Sequence, residues 1–219
     1  MQKGNCYLCG KTLAKSSYRK HFMTAHCVNE EQETANEQDC VLLRIESVEN
    51  PDYWLYLDAP KNASLKTIDS FLRKIWLECC GHLSGFYSSG LGDIPKSTAI
   101  GDFLIGTTIH YDYDFGSTTE LKISFVANDK RPKQRSAVRL LCRNEWILYT
   151  CSVCGKPASM IVMERMWDEE NPFFCDECLQ DEYDIEEALP VVNSPRMGTC
   201  AYCGEYDIYE FHPENFQPE

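Results

Sequence analysis

The sequence predicts an α+β fold: a central mixed or antiparallel sheet with one main packed helix, flanked at both ends by small modules held by cysteines. Three observations predict it. Strand-like alternation between turn residues dominates residues 40–149. One stretch of that span instead carries apolar residues at helical spacing. Eight of the 13 cysteines fall in four Cys-x-x-Cys pairs, Cys6/Cys9, Cys151/Cys154, Cys175/Cys178 and Cys200/Cys203, all outside that span.

The body opens with CVLLRIES (40–47), where Val41, Leu43 and Ile45 alternate with Leu42, Arg44 and Glu46. A turn at Asn50-Pro51-Asp52 and the strand-like YWLYLDA (53–59) complete a hairpin. Ser64 is placed to cap a helix from Leu65 to Cys79, with Ile68, Phe71, Leu72, Ile75 and Cys79 on one stripe. HLSGFYSSG (82–90) reads as a short strand. A second hairpin runs from Thr107 to Val126: Ile109, Tyr111, Tyr113 and Phe115 point one way, and His110, Asp112 and Asp114 the other. NDKRPKQRSAVR (128–139) reads as a basic loop leading into the strand AVRLLC.

The charge is uneven. Residues 1–28 carry Lys3, Lys11, Lys15, Arg19 and Lys20 and no acid, whereas residues 29–39 carry five acids and no base. Residues 150–219 hold 3 bases against 16 acids, which equals the whole net charge of −13. The expected organisation is a finger at 1–28, an acidic flexible linker at 29–39, an α+β domain at 40–149 and an acidic Cys-rich region at 150–219. MQKGNCYLCG has no apolar run of the signal-peptide kind, and no stretch approaches a membrane span. The thiol pairs therefore predict a reduced, cytoplasmic, zinc-using protein rather than a disulfide scaffold.

The spacing Cys6-x2-Cys9-x11-His21-x4-His26 puts two thiolates on a turn and two imidazoles about one helical turn apart, enough to close a tetrahedral site. With Leu13 and Tyr18 as a minimal core, residues 5–27 resemble a Cys2His2 zinc finger whose thiol-to-histidine loop is one residue short; Cys27 is an alternative fourth ligand. Nucleic-acid docking would use the start of its helix around Lys15, Ser16 and Ser17, though one finger covers only about 3 base pairs. Cys151-x2-Cys154-x20-Cys175-x2-Cys178 is a four-thiolate structural spacing with no position left for water. It resembles MYND-type cross-brace modules, which typically mediate protein contacts, but MERM (163–166) stands where their other Cys-x-x-Cys would be. Cys200/Cys203 lacks an obvious mate; His212 and Cys142 or another stray thiol are candidates. Cys79 and Cys80 read as buried side chains closing the helix. Two zinc ions, and three if Cys200/Cys203 takes one, are expected.

LLRIESV, YWLYLDAP, LKTIDSFLRKIW, GHLSGFYSSG, YDYDFGSTTELKI, VRLLCRNE and LPVVNSPRMGTCAYCG together resemble the plasmid pRiA4b ORF-3-like family, often labelled TnpR passenger proteins of insertion elements. The resemblance spans roughly residues 40–149 plus the PVVNSPRMG run. Where that family has a tryptophan and then a histidine after YDYDFG, this chain has Thr118, Thr119 and Leu121. The label implies recombination, yet no serine-recombinase motif is present. The expected function is a zinc-binding adaptor for a protein partner. The alternatives are a nucleic-acid-binding regulator acting through residues 1–28, and an enzyme using His82, His110, Asp112 and Asp114 for acid–base work.

Overall fold

Alternating strands expose an apolar face that must be covered, and here both faces of the sheet are covered by different means. The computed structural model describes residues 2–26, 37–133, 137–167, 171–182 and 188–204. Its elements are β1 (Lys3–Cys6), β2 (Thr12–Ala14), α1 (Tyr18–Ala25), β3 (Glu37–Ser47), β4 (Trp54–Pro60), α2 (Leu65–Leu72), β5 (Ser84–Ser88), β6 (Gly92–Ile94), β7 (Thr108–Tyr113), β8 (Thr119–Pro132) and β9 (Arg139–Asn144). β10 (Met160–Val162), β11 (Phe173–Phe174), α3 (Asp176–Glu182) and β12 (Ala188–Pro190) follow. One nine-stranded sheet has the order β2-β1-β9-β4-β3-β8-β7-β5-β6, and a three-stranded sheet has the order β11-β10-β12. Each pairing between these strands is antiparallel.

The β3–β4 hairpin sorts its side chains as the alternation requires. Val41, Leu43, Ile45, Leu55 and Leu57 enter the main core beneath α2 with Ile68, Phe71, Leu72 and Ile75. Leu42, Trp54 and Tyr56 point the other way and meet Cys6, Tyr18 and Phe22 of the N-terminal finger. The finger is thus the cover of the second face. Its β1 pairs with β9 in the register Gly4↔Asn144, Asn5↔Arg143 and Cys6↔Cys142.

Four expectations change here. β3 begins at Glu37, so the last residues of the expected linker are strand; residues 29–36 lie outside the described residues. β8 runs on to Pro132, so much of the expected basic loop is also strand, and Asp39 stands opposite Lys130. The reason is burial of charge: Asp58 and Arg131 are fully buried and paired, with Arg139 holding the second oxygen of Asp58 at 2.7 Å. Ser64 occupies the cap position of α2 without a side-chain cap bond; the carbonyls of Thr98 and Lys96 accept from the N–H groups of Leu65 and Lys66 instead. The helix also ends early. It widens into a π-type turn, Arg73–Leu77, and Glu78 is extended, which delivers Cys79 and Cys80 beyond the helix rather than along its stripe.

The small sheet carries its own apolar clusters, one of Val162, Phe174, Leu179 and Ala188 and one of Ile161, Val191 and Met197. After β12 the chain leaves this sheet and crosses the body as a strap. Asn193 pairs with the Asn144 side chain, the Ser194 hydroxyl donates to the carbonyl of Trp76, and Arg196 reaches Asp114 at 2.7 Å. All three strap residues are buried. Among the described residues, no helix is long and apolar enough to cross a membrane.

Candidate metal centres

A Cys-x-x-Cys-Gly turn can aim two sulfurs at one point when glycine takes the left-handed corner. Two such turns form among the described residues. At the N-terminus the N–H of Gly10 donates to the carbonyl of Cys6, the N–H of Cys6 donates to that of Lys11, and Gly10 has φ 72°. At the second site Gly155 donates to Cys151, Cys151 donates to Lys156, and Gly155 again has φ 72°.

Bonds of about 2.3 Å to sulfur and 2.0–2.1 Å to nitrogen set tetrahedral ligand edges at about 3.3–3.8 Å. In the finger, Cys9 Sγ is 3.4 Å from His21 Nε2, Cys6 Sγ is 3.6 Å from His26 Nε2, and the two Nε2 atoms are 3.2 Å apart. Helix α1 presents His21, and its C-cap is His26, while its Tyr18 and Phe22 hold it against Trp54 and Tyr56. Burial lowers the pKa of both histidines, with neighbouring positive charge adding to it, and this favours the neutral ligand form. Cys27 lies outside the described residues. His26 therefore completes the group that the structure brings together.

Cys151, Cys154, Cys175 and Cys178 converge likewise, with Cys154 and Cys175 sulfurs 3.7 Å apart. The second pair sits at the start of α3, where the N–H of Leu179 donates to the carbonyl of Cys175. Desolvation opposes ionisation of Cys151, but backbone N–H groups of Cys154, Cys175 and Val153 outweigh it and bring the thiol down to about 6. MERM lies in a 3-10 helix, Met163–Trp167, so nothing among the described residues of this module offers the second metal of a cross-brace.

The last pair behaves differently. Cys200 and Ala201 themselves take left-handed backbone, φ 50° and 55°, so the turn does not repeat the geometry at Cys6 and Cys151. Cys200 instead joins Cys79, Cys80 and His82, four ligand atoms within 4.8 Å of one another. Cys203 is outside that group, and His212 lies outside the described residues. Cys142 is fully buried in the cluster between finger and sheet, across from Cys6. Cys80 is exposed and Cys79 half-buried, which corrects the reading of both as buried side chains.

The carboxylates and histidines weighed for acid–base work are parted by the sheet. His82 packs edge-on against Tyr113, 5.8 Å between ring centres, and its Nδ1 lies 3.5 Å from Asp114 Oδ1. His110 lies beside Glu120 at 2.7 Å and stacks on Tyr87. Asp112, one residue from Tyr113 along β7, projects to the opposite face from His82. It lines a cleft of about 290 Å³ with Ser84, Tyr87, Asp93, Lys96 and Phe115, and His82 is not part of that lining.

No family model and no curated protein matches the chain. A crystal structure of a protein of unknown function from Methanosarcina mazei Go1 is similar over 48% of this chain and 67% of its own, at 16% identity and a TM-score of 0.39. Among the described residues the chain shows three Cys/His groups, each able to hold a metal ion. Two are the groups expected from spacing. Cys200 of the third was already a candidate ligand, but paired with Cys203; its mates escaped because they come from residues 79–82, whose sequence trace was the clustering of Cys79, Cys80 and His82.

Proposed function

We propose that this protein is a zinc-organised adaptor whose four-cysteine module docks a protein partner. Zinc is the metal that suits closed sets of two thiolates with two imidazoles, or of four thiolates, at these edges, and such sets leave no position for substrate. The observation that carries the docking reading lies at the entrance to the module. Within eight residues, Trp146, Leu148 and Val153 are exposed, Leu148 at 79%. Large apolar side chains this close together mark an interaction surface more often than scattered ones do. The surrounding region has 3 bases against 16 acids, so the partner expected is a protein with an apolar patch rimmed by Lys and Arg. The similarity of residues 40–149 to the pRiA4b ORF-3-like family belongs to this proposal as its evolutionary setting.

The nucleic-acid reading has one observation in its favour: Lys3, Lys11, Arg19 and Lys20 of the finger are exposed. Against it, Lys15 at the helix start is engaged by Glu46 at 3.3 Å and by the carbonyl of Pro51 at 2.8 Å. One experiment weighs both. The tagged full-length protein is used to capture partners from its native cells, with protein and nucleic acid both scored. Protein capture that is lost in Leu148→Asp and after chelation supports the adaptor. Capture indifferent to both changes, or salt-sensitive nucleic-acid capture abolished by Arg19→Ala with Lys20→Ala, overturns it.

A further inference from the structure

We propose that Cys79, Cys80, His82 and Cys200 form a third zinc site, whose metal latches the strap of residues 188–200 onto the body. The case begins with the ligand shell. Cys80 Sγ lies 3.7 Å from Cys79 Sγ and 3.4 Å from Cys200 Sγ, while His82 Nε2 lies 3.2 Å from Cys200 Sγ and 2.9 Å from Cys80 Sγ. Those edges fall at or a few tenths of an ångström inside the range set by zinc bonds, a difference that small side-chain rotations remove. Three thiolates and an imidazole select a soft, tetrahedral cation over magnesium or calcium.

The surroundings are those of a metal site. A ligating histidine commonly gives its other ring nitrogen to a carboxylate, which fixes its tautomer and aim. Here Nε2 faces the sulfurs and Nδ1 faces Asp114. Asp114 is itself held in left-handed backbone, φ 65°, with its Oδ1 accepting from the N–H of Gly116 and its Oδ2 accepting from Arg196. Arg196, fully buried, lies over the Tyr113 ring at 4.8 Å, and the Tyr113 hydroxyl lies 3.9 Å from the Cys79 sulfur, so a buried cation sits near where three thiolates would leave the zinc centre negative. The strap and the third site are one device. Asn193, Ser194 and Arg196 lay the strap along the body, and Cys200 closes it four residues later.

The site also links regions that local sequence keeps apart. The strap starts as β12 of the small sheet, and Gly198 (φ 76°) packs where any Cβ would strike Met166 and Ile161. A metal at Cys200 therefore fixes the four-cysteine module to the end of the π-type turn. Exposure of Cys80 lets the ion enter without opening the fold.

The test is zinc stoichiometry of the reduced full-length protein by native mass spectrometry and elemental analysis. Three zinc per chain are expected. Cys200→Ser and Cys80→Ser each give two, Cys203→Ser keeps three, and Cys200→Ser combined with Cys178→Ser gives one. Near-UV circular dichroism that stays native-like in Cys200→Ser separates loss of this ion from unfolding. Cobalt substitution gives a second readout: nine cysteines lie in the three groups, so Cys200→Ser should remove about a third of the thiolate-to-cobalt absorbance. A wild-type count of two that Cys200→Ser does not change overturns the proposal. Failure of Cys9→Ser or Cys178→Ser to lower the count would instead overturn the zinc reading of the end sites.

Discussion

The finger and the four-cysteine module use the same turn, yet they are held to the molecule in opposite ways. The finger has almost no interior of its own. Its Tyr18 and Phe22 lay their apolar surface on Trp54 and Tyr56, and its strand extends the main sheet through β9. The four-cysteine module has its own three-stranded sheet and two small clusters, and reaches the body chiefly through the strap and the Tyr53–Tyr149 hydroxyl contact at 2.8 Å. A metal held at both groups would therefore serve two purposes: in the finger it would shape a cover for a sheet, and in the C-terminal module it would stand in for a core too small to fold alone.

The largest effect should come from removing a module ligand. Cys175→Ser should abolish amide protection across residues 150–182 while β3, β4 and β8 keep theirs, because structural zinc supplies about 10–16 kcal/mol in isolated modules. Hydrogen exchange with mass spectrometry reads this; protection lost throughout the main sheet would show that the module is not an independent unit. Next in size is Trp54→Ala. Trp54 is fully buried between β4 and the finger, so the change should cost about 3–5 kcal/mol by urea unfolding and weaken zinc at Cys6 and Cys9 with it. Unchanged finger zinc affinity would mean the two are energetically separate.

Gly4→Ala sharpens the comparison with a smaller change. A Cβ at Gly4 would collide with the Arg143 carbonyl and the Trp54 ring, so β1 must shift off β9, at a cost of about 1–3 kcal/mol. The expected outcome is a finger that keeps its zinc but loses protection along β1. Loss of zinc instead would show that docking and chelation cannot be parted. Last, Arg19→Ala with Lys20→Ala changes exposed charges only, and the unfolding free energy in urea should change by no more than about 0.5 kcal/mol. A larger shift would place those side chains in the finger–sheet contact.

What the sequence determined by itself was local in range. Cys-x-x-Cys-Gly fixes two sulfurs within four residues, and alternation in β3, β4 and β7 sorts one sheet face from the other residue by residue, so both end clusters and an α+β class with a mixed or antiparallel sheet were legible. The stripe Ile68, Phe71, Leu72 and Ile75 marked α2 for the same reason. Only the tertiary structure decided the rest. The acidic run before Cys40 and the basic run after Ala127 looked like solvated segments until β3 and β8 paired their ends. The finger looked like a separate module until Trp54 and Tyr56 gave it a surface. Cys200 looked like half of a fourth knuckle, but the sulfur it meets at 3.4 Å belongs to a residue 120 positions away. Spacing reads chelation when one turn supplies the ligands. When a strap must first be laid down by Asn193, Ser194 and Arg196, the ligand set is a property of the packed chain.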